Sequence, residues 1–133
     1  MHYALLVLAP PQATAVHRAA IGLCEAALDA GHALPRVFFS DAGTQVALAS
    51  AVPPGDEPSP REGWQALARQ HGVELVACIG SAVRHGVLDS DEAARFERPA
   101  ATLAEGFVLG GLGLLVEATA AADRTLTFGG GAP

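Results

Sequence analysis

The sequence predicts an α/β fold: a three-layer, about five-stranded and mainly parallel sheet with helices on both faces, flavodoxin-like in outline. Continuous apolar runs, such as residues 3–8 and 73–78, are typical of parallel strands that are covered on both faces. Segments with helical periodicity separate these runs, and such alternation favours a parallel sheet. The chain has 133 residues, of which 50% are hydrophobic and 17% charged, so it can bury a core as one domain.

The first strand is expected at residues 3–8, because Pro10 and Pro11 cannot continue a strand ladder. Residues 13–30 then show helical periodicity, and Gly31 suits the position just past the helix, where left-handed backbone is free of a Cβ penalty. One apolar face of this helix is predicted to consist of Val16, Ala20, Leu23, Cys24, Ala27 and Leu28. Cys24 is therefore interpreted as a core residue.

The second strand is expected at residues 33–39, with Pro35 near its start because proline donates no ladder hydrogen bond. Residues 40–43 are typical of a turn, and residues 44–50 are predicted as a short helix. Residues 52–60 are rich in proline, which favours a mobile loop.

A further helix is predicted to begin after Ser59, with Pro60 at its first position and Glu62 placed to complete a capping box. Its buried face is expected to contain Trp64, Leu67 and Ala68, and it should end near residues 71–72.

The remaining elements continue the alternation. Strands are predicted at 73–78, 107–109 and 124–128, and helices at 79–85, 91–96 and 114–122. Asp89 or Ser90 is expected to cap the helix at 91–96. We expect one domain over residues 1–128 and a flexible tail at 129–133.

Cys78 is the leading candidate for chemistry, because it stands where a buried strand meets a helix. In open parallel sheets, reactive groups collect beyond the carboxyl ends of the strands. Backbone N–H groups at a helix start favour the thiolate, which is the nucleophilic form of cysteine. Arg84 and His85 could lower the thiol pKa further if they fold back toward the sulfur, although both are also ordinary cations for a helix end. A packed, unreactive Cys78 is the alternative.

Composition excludes several classes of function. The net charge is −6, which disfavours direct nucleic-acid binding. All eight basic residues are arginine, which excludes lysine-based chemistry.

The segment Gly110-Gly111-Leu112-Gly113 comes too late in the chain for a dinucleotide fingerprint, so close packing of helix on sheet is the preferred interpretation. The five histidines lack metal-ligand spacing. We therefore expect no metal, no cofactor, no membrane segment and a cytoplasmic protein with free thiols.

Several blocks of the sequence together resemble a known family. They include 31–39 (Gly-His-Ala-Leu-x-x-Val-Phe-Phe), Trp64, Val76-Ala77-Cys78, residues 84–89 (Arg-His-Gly-Val-x-Asp), residues 106–113, Glu117-Ala118 and Asp123-Arg124. In this order and spacing they are similar to the sulfurtransferase subunits of the DsrE/TusD type, which have a DsrE/DsrF-like fold. The resemblance covers nearly the whole chain, from Tyr3 to Phe128.

The resemblance implies a sulfur carrier in which Cys78 holds sulfane sulfur as a persulfide. From their position after Cys78, Arg84 and His85 are candidate supporting cations for that persulfide. It also implies a heterohexamer with TusB/TusC-like (DsrH/DsrF-like) subunits, a TusA-like donor and a TusE/DsrC-like acceptor. The expected process is 2-thiolation of the tRNA wobble uridine. Alternatives are a DsrE-like subunit of a sulfur-oxidation complex, a noncatalytic assembly subunit, and a flavodoxin-like ligand-binding domain.

The chain departs from this family pattern at three places. Ser40 stands where an aromatic residue usually follows the Phe-Phe pair, and His85 replaces the second of two arginines. The loop after the first strand reads Pro10-Pro11-Gln12 instead of carrying a tyrosine. These differences are expected to affect the choice of partner more than the chemistry.

Overall fold

The computed structural model describes residues 1–130 and shows a five-stranded parallel sheet with strand order β4-β3-β2-β1-β5. The strands are β1 (Tyr3–Val7), β2 (Arg36–Phe39), β3 (Glu74–Cys78), β4 (Phe107–Gly110) and β5 (Arg124–Phe128). The α-helices are α1 (Thr14–Asp29), α2 (Pro60–His71), α3 (Ile79–Arg84), α4 (Ser90–Arg95) and α5 (Leu112–Ala121). A 3₁₀ helix covers Asp41–Ala47. The predicted fold class is confirmed.

The order of the strands decides which face each connection covers. From β1 to β4 the chain steps across the sheet in one direction, whereas the connection from β4 to β5 returns across the whole sheet. Because crossovers between parallel strands are right-handed, a reversal of direction moves the connecting helix to the opposite face. Accordingly, residues of α1, α2 and α3 contribute to one apolar cluster, and α5 packs against a separate one.

The two faces of the sheet are packed unequally. The larger core contains alternate strand residues together with buried side chains of α1 and α2, among them Val37, Phe39, Cys24, Trp64 and Leu67. The smaller cluster on the other face consists of Phe38, Val76 and Cys78, against which Leu6, Leu114 and Leu115 pack. Among residues 1–130, α5 is the helix whose side chains pack against this second cluster.

Several element ends were predicted correctly from local signals. Gly31 and Gly72 both take positive φ just past a helix, at +89° and +68°. Asp89 caps α4 through its carboxylate, which accepts the Glu92 N–H at 2.8 Å. The short helix predicted at 44–50 is instead the 3₁₀ helix that begins at Asp41, so the predicted turn at 40–43 lies largely inside it.

The predicted capping box at α2 is wrong. Ser59 and Pro60 occupy the expected N-cap and first helical positions, but within the described residues the Ser59 side chain makes no capping hydrogen bond. Instead the Glu62 N–H donates to the backbone carbonyl of Ser59 at 3.1 Å. The Ser59 carbonyl therefore accepts the hydrogen bond that the Ser59 hydroxyl was expected to accept.

The buried face of α1 also differs from the prediction, because Leu23 is exposed and His17 is buried with Ala20 and Cys24. His17 Nε2 lies 3.1 Å from the carbonyl of Ala9 and 3.0 Å from that of Pro10, while Nδ1 accepts the indole N–H of Trp64. His17 is thus a neutral imidazole protonated on Nε2. Burial is the main cause that lowers its pKa, and the two carbonyls oppose that effect.

The predicted domain, 1–128, and the flexible tail stay predictions. Gly129 and Gly130 lie against Ala9 and Leu8, and the rest of the tail, 131–133, falls outside the described residues. Among the helices of residues 1–130, none has the length and apolar character needed to cross a membrane.

Candidate functional site

Cys78 lies at the carboxyl end of β3, in register with Gly110 at the end of β4. The chain leaves β3 toward the face covered by α1 and α2, and leaves β4 toward the face covered by α5. Neighbouring strands whose connections depart to opposite faces form a topological switch point, where a crevice opens beyond the sheet. The candidate cysteine therefore lies where α/β folds usually place their binding sites.

The thiol of Cys78 is more enclosed than the sequence predicts. The residue is 7% exposed and belongs to the cluster of Phe38 and Val76, against which Leu114 and Leu115 of α5 pack. Cys78 occupies the N-cap position of α3, but among the described residues its side chain makes no capping hydrogen bond. The strand end that carries Cys78 is thus covered by α5.

Cys24 provides an internal comparison within the same chain. It is 1% exposed in the larger core, which confirms its predicted core position. Burial, followed by the nearby carboxylate of Glu25, raises the pKa of its thiol to about 12. Because the thiolate is the reactive form, this raised pKa disfavours Cys24 as a nucleophile at neutral pH in the folded protein. Cys78 is consequently the better nucleophile candidate of the two.

The structure places the two predicted supporting cations at the far end of α3. Arg84 is exposed in the last turn, and His85 follows it. His85 Nδ1 lies 3.1 Å from Thr44 Oγ1, whose own proton is donated to the carbonyl of Asp41 at 2.8 Å. Nδ1 must therefore carry a proton and act as the donor. Within residues 1–130, no hydrogen bond joins Cys78 to either cation, so their supporting role stays a prediction.

A polar cluster connects the ends of β2 and β3, and the sequence did not reveal it. Asp41 has a positive φ of 49°, and its N–H donates to the buried Ser81 hydroxyl at 3.1 Å. Ser40 Oγ lies 3.5 Å from the same hydroxyl oxygen. Left-handed backbone at a residue other than glycine is concentrated at functional sites. The one available signal was the serine three positions after Cys78.

Gly110 fits the packing interpretation that the sequence suggested for the glycine-rich segment. A Cβ at Gly110 would lie 2.5 Å from Leu114 Cδ1 and 2.9 Å from Val76 Cγ1, so a larger residue at this position requires those side chains to shift. At Gly111 and Gly113, apart from the adjacent backbone, no described atom lies within 4 Å of the position that a Cβ would take. Close packing therefore explains the first glycine of the segment but not the other two.

Comparison with known proteins agrees with the geometry. The model of the DsrE/DsrF-like family matches residues 1–128, and the chain belongs to that family. It is 43% identical over 128 residues to the Sulfurtransferase TusD of Serratia proteamaculans, covering 96% of this chain and 99% of that one. It is 41% identical over 130 residues to the Sulfurtransferase TusD homolog of Pseudomonas aeruginosa, covering 98% of each.

A solved structure supports the fold. The crystal structure of the ychN protein from E. coli superposes with a TM-score of 0.71, covering 96% of this chain and 100% of that chain, at 21% sequence identity. At this identity the likeness establishes the architecture, whereas the similarity in activity rests on the TusD relatives.

Proposed function

We propose that this chain is a TusD-like sulfurtransferase that carries sulfane sulfur on Cys78 as a persulfide. The observation that supports it most directly is the position of Cys78 at the switch point between β3 and β4 in a chain at least 41% identical to two TusD-type proteins. Cys24, the other thiol, is fully buried and has a raised pKa.

The transfer needs no cofactor. The Cys78 thiolate attacks the outer sulfur of a donor persulfide, so a new S–S bond forms on Cys78 while the S–S bond of the donor breaks. The donor cysteine leaves as a thiolate that carries the negative charge, and Cys78 is left as a persulfide (S–SH), whose acidic proton the departing thiolate can take up. Transfer to an acceptor thiolate repeats the same exchange, so each step balances without an external oxidant or reductant.

Mass spectrometry of the chain after incubation with inorganic polysulfide tests the proposal. We expect an added mass of about 32 Da, one sulfur atom, on the peptide that contains Cys78 and its removal by a thiol reductant. Cys78→Ser should accept no sulfur, and Cys24→Ser, as the matched control, should accept as much as the unaltered chain. Sulfur on Cys24, or on the Cys78→Ser variant, contradicts the proposal.

We further propose that the relay serves 2-thiolation of the tRNA wobble uridine in the cytoplasm. Its partners would be TusB/TusC-like subunits, a TusA-like donor and a TusE-like acceptor, and the support is the similarity to relatives named TusD. Expression of the chain in a bacterium lacking its own TusD should restore 2-thiouridine in hydrolysed tRNA, and Cys78→Ser should not. Restored sulfur oxidation without tRNA thiolation would favour the DsrE-like alternative.

The enclosure of Cys78 favours a second candidate, a noncatalytic assembly subunit with a packed thiol. Such a subunit would co-purify with its partner subunits while Cys78 accepted no sulfur from polysulfide or from a persulfidated donor protein. Sulfur accepted at Cys78 in the assembled complex excludes this candidate.

A further inference from the structure

Helix α5 covers Cys78 but is weakly embedded. Leu114 and Leu115 pack against the cluster that contains Cys78, yet within Leu112–Ala121 none of the ten residues is buried. Leu112 and Val116, on the outward side, are 60% and 64% exposed. Elements that bury little apolar surface belong to the low-stability part of a structure, so α5 can separate from the sheet at a smaller free-energy cost than global unfolding.

The two ends of α5 are attached differently. After its carboxyl end, the Asp123 carboxylate accepts the His2 N–H at 2.7 Å, and the Asp123 N–H donates to the His2 carbonyl at 2.7 Å. The amino end contains Gly111 and Gly113, which contribute no side-chain contacts. This end follows Gly110, the register partner of Cys78. The amino end of the helix is therefore the end nearest to the thiol.

One side chain, that of Arg36, connects the amino-terminal half of α5 to the sheet. Arg36 of β2 donates from Nη1 to the carbonyl of Leu114 at 2.8 Å and from Nε to Glu74 Oε1 at 2.9 Å, with Glu117 Oε1 at 3.6 Å from Nη1. The Arg36 side chain is 16% exposed. Hydrogen bonds from a charged and largely buried donor are among the stronger ones in proteins. Arg36 thus holds the part of α5 that packs over the Cys78 cluster.

We propose that α5 opens locally from the sheet to expose Cys78, and that Arg36 is the positioning residue that controls how often it opens. The proposal rests on the proposed function, because access to the thiol limits sulfur transfer only if Cys78 is the carrier. The structural part can be tested without any sulfur donor, so failure of one proposal is distinguishable from failure of the other.

Alkylation of the two cysteines by iodoacetamide in the native chain, followed by mass spectrometry of each peptide, measures the opening. We expect Cys78 to react much faster than Cys24, which requires global unfolding. Arg36→Gln should raise the Cys78 rate on the order of 10- to 100-fold, the effect of losing a hydrogen bond from a charged donor. Arg69→Gln, which removes an exposed arginine from the last turn of α2, is the matched control and should leave the rate unchanged.

The Cys24 rate shows whether a variant acts locally. If Arg36→Gln merely destabilised the whole fold, both cysteines would react faster in proportion, and the proposal would be overturned. An unchanged Cys78 rate in Arg36→Gln would overturn it as well.

A second variant and a measurement on the unaltered chain keep the test independent of whether Arg36→Gln folds. Gly110→Ala places a methyl group against Leu114 and Val76 and should also accelerate Cys78 alone. In the unaltered chain, low urea concentrations should leave the Cys78 rate nearly flat while the Cys24 rate rises, because local opening exposes little surface. Equal rates and equal urea slopes for the two thiols would show that Cys78 is exposed only by global unfolding.

Discussion

Trp64 donates its indole N–H to Nδ1 of His17 at 3.1 Å, and this bond joins α2 to α1 inside the larger core. The two rings meet edge to face, with centroids 6.3 Å apart. The other ring nitrogen of His17 holds the carbonyls of Ala9 and Pro10 at the end of β1. One neutral histidine therefore connects two helices to the loop after the first strand.

Stability should fall as the pH is lowered below about 6.5, the ordinary pKa of histidine. The native pKa of His17 is lowered by burial, so between that value and about 6.5 the unfolded chain binds more protons than the folded chain. We expect His17 to contribute a loss of up to about 1.4 kcal/mol per pH unit in this window. Urea denaturation between pH 8 and pH 5 measures it. His17→Gln should weaken the pH dependence, and His71→Gln, at an exposed site, should preserve it.

Replacing Trp64 by phenylalanine should cost about 2–4 kcal/mol of unfolding free energy. The substitution removes the indole donor and leaves the buried Nδ1 of His17 without a partner. In a His17→Leu background the same replacement should cost less, because no acceptor is then left unsatisfied. Additive losses in this double-mutant cycle would show that the hydrogen bond contributes little.

Two glycine-to-alanine substitutions should change the free energy of unfolding in opposite directions. Gly43→Ala places a Cβ 2.3 Å from the backbone oxygen of Val7, so we expect a loss of about 2 kcal/mol or more. Gly22→Ala, inside α1, has no described atom within 4 Å of the new methyl group and should stabilise the protein by about 0.5–1 kcal/mol. Thermal or urea unfolding of both variants measures the difference. Equal effects would contradict the close approach of the 3₁₀ helix to β1.

The two helix caps offer a matched pair of alanine substitutions. Asp89→Ala removes the carboxylate that accepts the Glu92 N–H and should destabilise the chain by about 1 kcal/mol. Ser59→Ala removes a hydroxyl that makes no capping bond at α2, so we expect a change below about 0.5 kcal/mol. A larger loss for Ser59→Ala than for Asp89→Ala, in urea denaturation, would argue for a side-chain cap at α2.

Local signals were sufficient for most element ends, because the groups involved are close in sequence. Gly31 and Gly72 follow the ends of their helices, and the Asp89 carboxylate caps α4 by accepting the N–H of Glu92, three positions later. The failure at Ser59 has a local cause too, since the backbone carbonyl accepts the donor expected for the hydroxyl. The spacing of Ser59 and Glu62 predicts that the Glu62 N–H can reach Ser59, but it does not predict whether the hydroxyl or the carbonyl of Ser59 accepts the hydrogen bond.

The position of Cys78 at a strand end was evident from the sequence, but its covering was not. The apolar run 73–78 and the helix after it predicted the end of β3, whereas Leu114 and Leu115 come from a helix more than 30 positions later. His85 Nδ1 likewise lies 3.1 Å from Thr44 Oγ1, 41 residues earlier in the chain, a contact that the sequence did not predict.

By itself the sequence determined the class of fold, the succession of strands and helices, and the placement of one thiol at a strand end, since hydrophobic periodicity and end signals act over a few residues. Only the tertiary structure decided that His17 is buried beside Trp64, that α5 encloses Cys78, and that Arg36 holds α5 to the sheet. Periodicity shows which face of an element is apolar. The element that covers that face is fixed by strand order and crossover direction, which bring together residues distant in the chain.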